Sequence, residues 1–202
     1  MEYGVHSSAC ITVEVRGDLK LCNIGPNVII GYEYSYHRSK FYNNSPSPPK
    51  PYVVIDSDVF IGANTVIASG ASIGKSTIIE HNCYLGEDTS IGTKCFIRYQ
   101  AQIFRRVTIG DACIISGFLC NNTIVENNVT FYGIAIHRYL DRVSGVPEPS
   151  PKICSGAFVG FNATIVGPIV IGERAVIKTG AIVLSSVPSG KIVGAGEVYR
   201  EK

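Results

Sequence analysis

Isoleucine or leucine stands at every sixth position over sixty residues, at Ile55, Ile61, Ile67, Ile73, Ile79, Leu85, Ile91, Ile97, Ile103, Ile109 and Ile115. A period of six fits neither the 3.6-residue turn of a helix nor the two-residue alternation of a strand, so the segment reads as an internal repeat. Four residues after each aliphatic comes a second column of small or medium side chains: Val59, Thr65, Ala71, Thr77, Cys83, Thr89, Cys95, Ala101, Val107 and Cys113. Glycine often follows the aliphatic directly, at Gly62, Gly74, Gly86, Gly92 and Gly110. The expectation there is a tight corner with φ above zero, which costs glycine little.

This period predicts an all-β fold, a parallel β-solenoid. Each hexad is one short extended side plus a corner, and three sides close a coil. Coils stacked about 4.8 Å apart satisfy one another's backbone groups and align their aliphatics into ladders inside a narrow interior. The same phase returns near the C-terminus with Ile153, Val159, Ile165, Ile171, Ile177 and Val183, accompanied by Ala157, Ala163, Ile169, Ala175, Ala181 and Val187. Between the two runs the register slips by two residues from Ile115 to Leu119, continues through Val125 and Phe131, and stops at His137. With Ile24 and Ile30 adding hexads near the start, about seven coils are expected, a column roughly 35 Å tall. The chain, 1–202, reads as a single domain: the β-helix over 1–183, loops at 33–52 and 137–152, and a C-terminal tail over 184–202.

Twenty-one glycines, one methionine and no tryptophan suit a narrow core of β-branched and small side chains. The net charge of +2, with signs mixed along the chain, gives no basis for nucleic-acid binding or attraction to an anionic membrane. Glu2, Glu14, Arg16, Asp18 and Lys20 argue against a secretory signal, and no apolar run reaches membrane-spanning length, so a cytoplasmic location without membrane insertion is expected. Of the seven cysteines, Cys83, Cys95 and Cys113 lie in the small inward column, and none of Cys10, Cys22, Cys120 or Cys154 makes a Cys-x-x-Cys pair. All seven are expected as reduced, structural thiols.

Two segments interrupt the repeat, and interruptions of a rigid wall are where function is commonly mounted. Residues 33–52 combine four prolines with Tyr34, Tyr36, His37, Arg38, Lys40, Phe41 and Tyr42. That mixture can stack on a planar ring and neutralise a phosphate, or simply cover one end of the column. Residues 137–152 begin at His137, which falls where the next inward aliphatic is due. An imidazole there is a candidate general base, and Asp141, four residues on, is a candidate to hold one ring nitrogen. His81 is assigned to an outward or corner position, and His6 and His37 to the surface. Spacings among these four histidines provide no close pair for a three-histidine zinc site, so no metal is expected.

The columns resemble those of bacterial hexapeptide-repeat acyltransferases. The likeness is most evident in Ala157-Phe158-Val159-Gly160-Phe161-Asn162-Ala163-Thr164-Ile165, in Ile171-Gly172-Glu173-Arg174-Ala175-Val176-Ile177-Lys178-Thr179-Gly180 and in Val187-Pro188-Ser189-Gly190-Lys191-Ile192. The middle segment, Ile91-Gly92-Thr93 through Thr123-Ile124-Val125-Glu126-Asn127-Asn128-Val129, is most similar to the branch that acylates sugars and nucleotide-linked amino sugars. The resemblance implies a left-handed β-helix, a homotrimer with active sites between neighbouring prisms, acetyl-CoA as co-substrate, and direct attack by a sugar-type acceptor on the thioester. It also implies His137 as the base, with Asp141 or a backbone carbonyl orienting it. Carried over by position, the coenzyme A contacts are Gly160 (as oxyanion donor), Phe161, Lys178, Thr179, Ser185 and Arg200. Leu184-Ser185-Ser186-Val187-Pro188 departs from the family's Thr-Lys-Asp-Val-Pro, and Gly196-Glu197-Val198-Tyr199-Arg200 from its Gly-Asn-Pro-Ala-Arg. Alternative expectations are O-acetylation of a free sugar, polysaccharide or xenobiotic, and a non-catalytic solenoid scaffold.

Overall fold

Three parallel sheets of ten, ten and eight strands form the sides of the solenoid, and successive strands visit the sheets in rotation. The computed structural model describes residues 4–33, 50–138 and 149–201. Each sheet is named by one of its strands: the first face contains Phe60–Ile61, the second Val66–Ala68 and the third Ser72–Ile73. One single-turn 3-10 helix, Leu19–Leu21, is the only helical element among the described residues. No helix there is long and apolar enough to cross a membrane.

The hexad aliphatics are the core. Ile61, Ile79, Ile97 and Ile115 stack in register on the first face, Ile67, Leu85 and Ile103 on the second, and Ile73, Ile91 and Ile109 on the third. Every one of these side chains is at most 3% exposed. The second column has a chemical role beyond size. Thr65, Thr77 and Thr89 donate to Glu80 O, Gly92 O and Phe104 O at 3.0, 2.9 and 3.0 Å, and the Cys83, Cys95 and Cys113 thiols donate to Arg98 O, Gly110 O and Glu126 O at 3.2, 3.0 and 3.0 Å. A small donor at this position satisfies an inward carbonyl of the next coil, which an apolar side chain would leave unpaired.

The corners differ from expectation in which residue takes the left-handed conformation. It is the third residue after the aliphatic, as in Asn64 (φ 58°), Asn82 (φ 58°), Asp88 (φ 55°) and Ala112 (φ 53°). Gly62, Gly74, Gly86, Gly92 and Gly110 do not have positive φ. They are glycine because of close stacking: a Cβ on Gly62 would stand 2.7 Å from the backbone carbon of Glu80 and nitrogen of His81.

The column is also taller than the hexad count of about seven coils. Val5 pairs with Ile24 and Ile11 with Ile30, so residues 4–16 lay one further coil over the N-terminal end. The expected tail over 184–202 continues the solenoid as well, with Val193 paired to Ile177 and Tyr199 to Val183. These end rungs escape a hexad count because one side of each is open, and Val5 and Ile11 are both 40% exposed, outside the run of buried isoleucines.

A second register slip revises the placement of His137. Leu119 pairs with Ala135, and Ala135 with Ile165. The chain therefore takes four residues, not six, from Phe131 to Ala135, and Ala135 is the inward, 0% exposed residue. His137 follows the strand Ile134–Ile136 and stands at the corner, half-buried.

Candidate functional site

The residues singled out in the sequence occupy two different edges of the prism. Both excursions leave the wall at the edge between the second and third faces. The first departs after Ile29–Tyr32 and returns at Tyr52–Ile55, and the second departs after Ile134–Ile136 and returns at Lys152–Ile153. Four second-face strands separate the two departure points, a span of about 24 Å at the usual strand spacing. Residues 34–49 and 139–148 lie outside the described residues, and with them Asp141 and the aromatic and basic side chains expected from the first excursion.

His137 stands on this second edge, with its Nδ1 enclosed. Beside it, Arg138 lies over Gly167 and donates from Nη2 to Leu184 O at 2.8 Å, clasping the root of the second excursion to the coils beneath. Sequence reasoning misses this arginine, because a cation next to an excursion looks like a solvated one. Ser185 and Arg200 follow the second-face residues Val183 and Tyr199 and so share the edge. The Ser185 hydroxyl accepts from Glu201 N–H at 3.2 Å, a contact that stacks the last coils.

Gly160, Phe161, Lys178 and Thr179 stand on the edge between the first and second faces, one face away. Phe161 is 57% exposed, and the Lys178 and Thr179 side chains are exposed as well. The N–H of Gly160, expected as an oxyanion donor, donates to Ile177 O at 2.8 Å. The residue after each aliphatic closes the ladder in this way, so its N–H is spent. The N–H groups of Phe161 and Thr179, one position further round the corner, are not taken by another group among the described residues.

The remaining described histidines hold the wall together. His81 Nδ1 accepts from Ala63 N–H at 2.8 Å, and His6 Nδ1 from Ser8 N–H at 3.2 Å. Corner carboxylates and amides do the same: Asp111 accepts from Thr93 N–H at 2.7 Å, which holds its carboxyl below the usual range, and Asn127 accepts from Asp111 N–H at 2.8 Å.

Residues 52–87 match the family model described as bacterial transferase hexapeptide (six repeats). A stretch of 87 residues, 43% of the chain, is 46% identical to a serine acetyltransferase of Buchnera aphidicola, over 30% of that relative. A stretch of 48 residues, 24% of the chain, is 40% identical to the bifunctional protein GlmU of Xanthomonas euvesicatoria, over 11% of it. The chain thus spans less than a third of the curated relatives it matches. Among solved structures it is similar to a UDP-N-acetylglucosamine acyltransferase from Campylobacter jejuni, at 16% identity and a TM-score of 0.42 over 95% of this chain and 67% of that one. It is also similar to the polySia-specific acetyltransferase NeuO, at 13% identity and a TM-score of 0.43 over 98% and 84%.

Proposed function

We propose that the chain is an acyl-CoA-dependent acyltransferase acting in a cleft between copies of a homotrimer of left-handed prisms. One observation supports the shared cleft above the rest: the exposed Phe161, Lys178 and Thr179 stand on one edge and His137 on the next, so in a single chain a whole face separates them. Edges of two neighbouring copies, set side by side, bring the two groups together. Seven free thiols support a reducing compartment, the cytoplasm.

Phe161 and Lys178 suit the donor, an aromatic plane for its base and a cation for its phosphates, while Ser185 and Arg200 belong to the other edge. When bound, acetyl-CoA supplies a thioester carbonyl open to attack. His137 takes the proton from the acceptor hydroxyl or amine, and Asp141 or a backbone carbonyl orients the ring. The new bond joins the acceptor atom to the acyl carbon, the carbon–sulfur bond breaks, and coenzyme A leaves as the thiol after regaining a proton. No covalent acyl-enzyme is needed. The acceptor is a sugar or nucleotide-linked amino sugar. The segment 46% identical to a serine acetyltransferase favours a second reading, in which a free hydroxyl on a small molecule is the acceptor.

Thermal shift with acetyl-CoA, followed by thiol release across amino-sugar nucleotides, free sugars and serine, tests both readings. Donor-induced stabilisation and turnover of a sugar are expected, with His137→Asn lowering O-acylation by about 100-fold or more and N-acylation less. Absence of any donor stabilisation in a folded trimer would return the chain to the scaffold reading.

A further inference from the structure

The edge between the first and second faces contains a notch. Most coils turn it with six residues from one inward aliphatic to the next, but Ile115 to Leu119 and Phe131 to Ala135 take four. These two consecutive corners are reduced to Ser116-Gly117 and Tyr132-Gly133. With less chain they cannot bulge outward, and both require glycine: a Cβ on Gly117 would overlap Gly133 O, and one on Gly133 would overlap Ala163 O. Full-length corners stand on either side, carrying Tyr99 and Phe161. The recess between them has a volume of about 150 Å³ and is lined by Arg98, Tyr99, Ser116, Tyr132 and Phe161.

Its walls are rings. Tyr132 stacks on Phe161 with centroids 4.5 Å apart and planes 4° from parallel, forming a rigid floor. Tyr99, two rungs away and 52% exposed, stands opposite. Two rungs are about 9.6 Å. One ring inserted between Tyr99 and Tyr132 would then lie about 4.8 Å from each, inside the roughly 4.5–7 Å range of stacked aromatic pairs. The polar groups sit at the rim: the Ser116 hydroxyl and the Arg98 guanidinium, whose charge is shared with Glu80 at 3.9 Å. Polar groups beside exposed ring faces, with little net charge, match the edge and faces of a heteroaromatic base better than a bare anion.

We infer that this notch binds the base of a nucleotide, clamped between Tyr99 and the Tyr132–Phe161 stack. Such a site rests on the acyl-transfer reading and deepens it, since donor and nucleotide-linked acceptor each carry a base. Its test is binding without turnover, so the two fail separately.

Calorimetric titration with AMP, UMP, ribose 5-phosphate and inorganic phosphate is the experiment, with circular dichroism to verify folding of each variant. AMP, UMP or both should bind, and ribose 5-phosphate and phosphate should not. Tyr99→Ala should weaken nucleotide binding roughly tenfold or more, Tyr99→Phe should retain it, and Ser116→Phe, which fills the slot, should abolish it. Preference for AMP assigns the notch to an adenine-bearing donor, and preference for UMP to a pyrimidine-bearing acceptor. Equal affinity in wild type, Tyr99→Ala and Ser116→Phe would overturn the proposal. So would failure of the folded protein to bind either nucleotide, including failure because a second copy covers the edge.

Discussion

Lys152 Nζ sits 2.7 Å from Glu126 Oε1, where the chain rejoins the wall after the second excursion. Oε2 of the same carboxylate accepts from Ser155 N–H at 3.0 Å and Oγ at 3.1 Å. One side chain therefore fixes the returning strand at two points.

The Lys152 ammonium holds the Glu126 carboxyl below its ordinary 4.5, and the carboxylate raises Lys152 above 10.5. Glu126, being depressed, adds stability above pH 4.5 that is lost as pH falls through its lowered value. Lys152, being raised, adds stability below pH 10.5 that is lost as pH rises through its folded value. Both side chains are partly exposed, at 43% and 31%, so solvent screening keeps the contribution of the pair small. Glu126→Gln should lower the melting temperature slightly at pH 7, and the difference from wild type should close as the buffer is acidified below about pH 4. A difference that grew with acid would contradict the assignment.

Arg105 Nε and Glu87 Oε2 lie 2.8 Å apart with side chains 6% and 0% exposed, an ion pair withdrawn from water at the edge from which the excursions depart. Truncating one partner strands the other's charge. Arg105→Met should cost about 3–5 kcal/mol in urea unfolding. Adding Glu87→Gln should recover part of that loss, so the double variant is less destabilised than the sum of the singles. Strict additivity would mean that the two charges are not coupled.

Thiol chemistry checks the inward column. Burial pushes Cys83 up to about 11 and raises Cys22 as well. Cys95 and Cys113 are buried in the same column, with their thiols donating to Gly110 O and Glu126 O. At pH 8 a thiol reagent should label Cys10 quickly and Cys154 slowly, and the five buried cysteines only after denaturation. Rapid labelling of Cys83 or Cys113 in the native protein would place that column outside.

Corner residues offer a paired test. Ala112 holds φ 53° without a side chain suited to it, so Ala112→Asn should stabilise by about 0.5–1 kcal/mol. Gly62→Ala, with normal φ but a backbone neighbour at 2.7 Å, should destabilise by about 1–3 kcal/mol. Thermal melts of the two variants should move in opposite directions.

Much of the wall is legible in the spacing of its aliphatics. The hexad isoleucines are buried and in register as that spacing requires, because a side chain facing the interior recurs once per side whatever lies beyond it. Legibility fails where coils change length. A single four-residue step at Ile115 to Leu119 is visible in the sequence, but the second, at Phe131 to Ala135, hides behind the small Ala135 and makes His137 look like an inward position.

Periodicity alone thus determined the length of each side, the identity of the core and the positions where the chain departs from it, since these follow from repeat length and side-chain size. Only the tertiary structure decided which edge each candidate residue occupies, which N–H groups are already spent on the ladder, and that two shortened corners coincide to open a slot lined by Tyr99 and Tyr132. Those outcomes depend on summed residue counts around several coils, and a shift of two residues in one coil moves every later group along the wall.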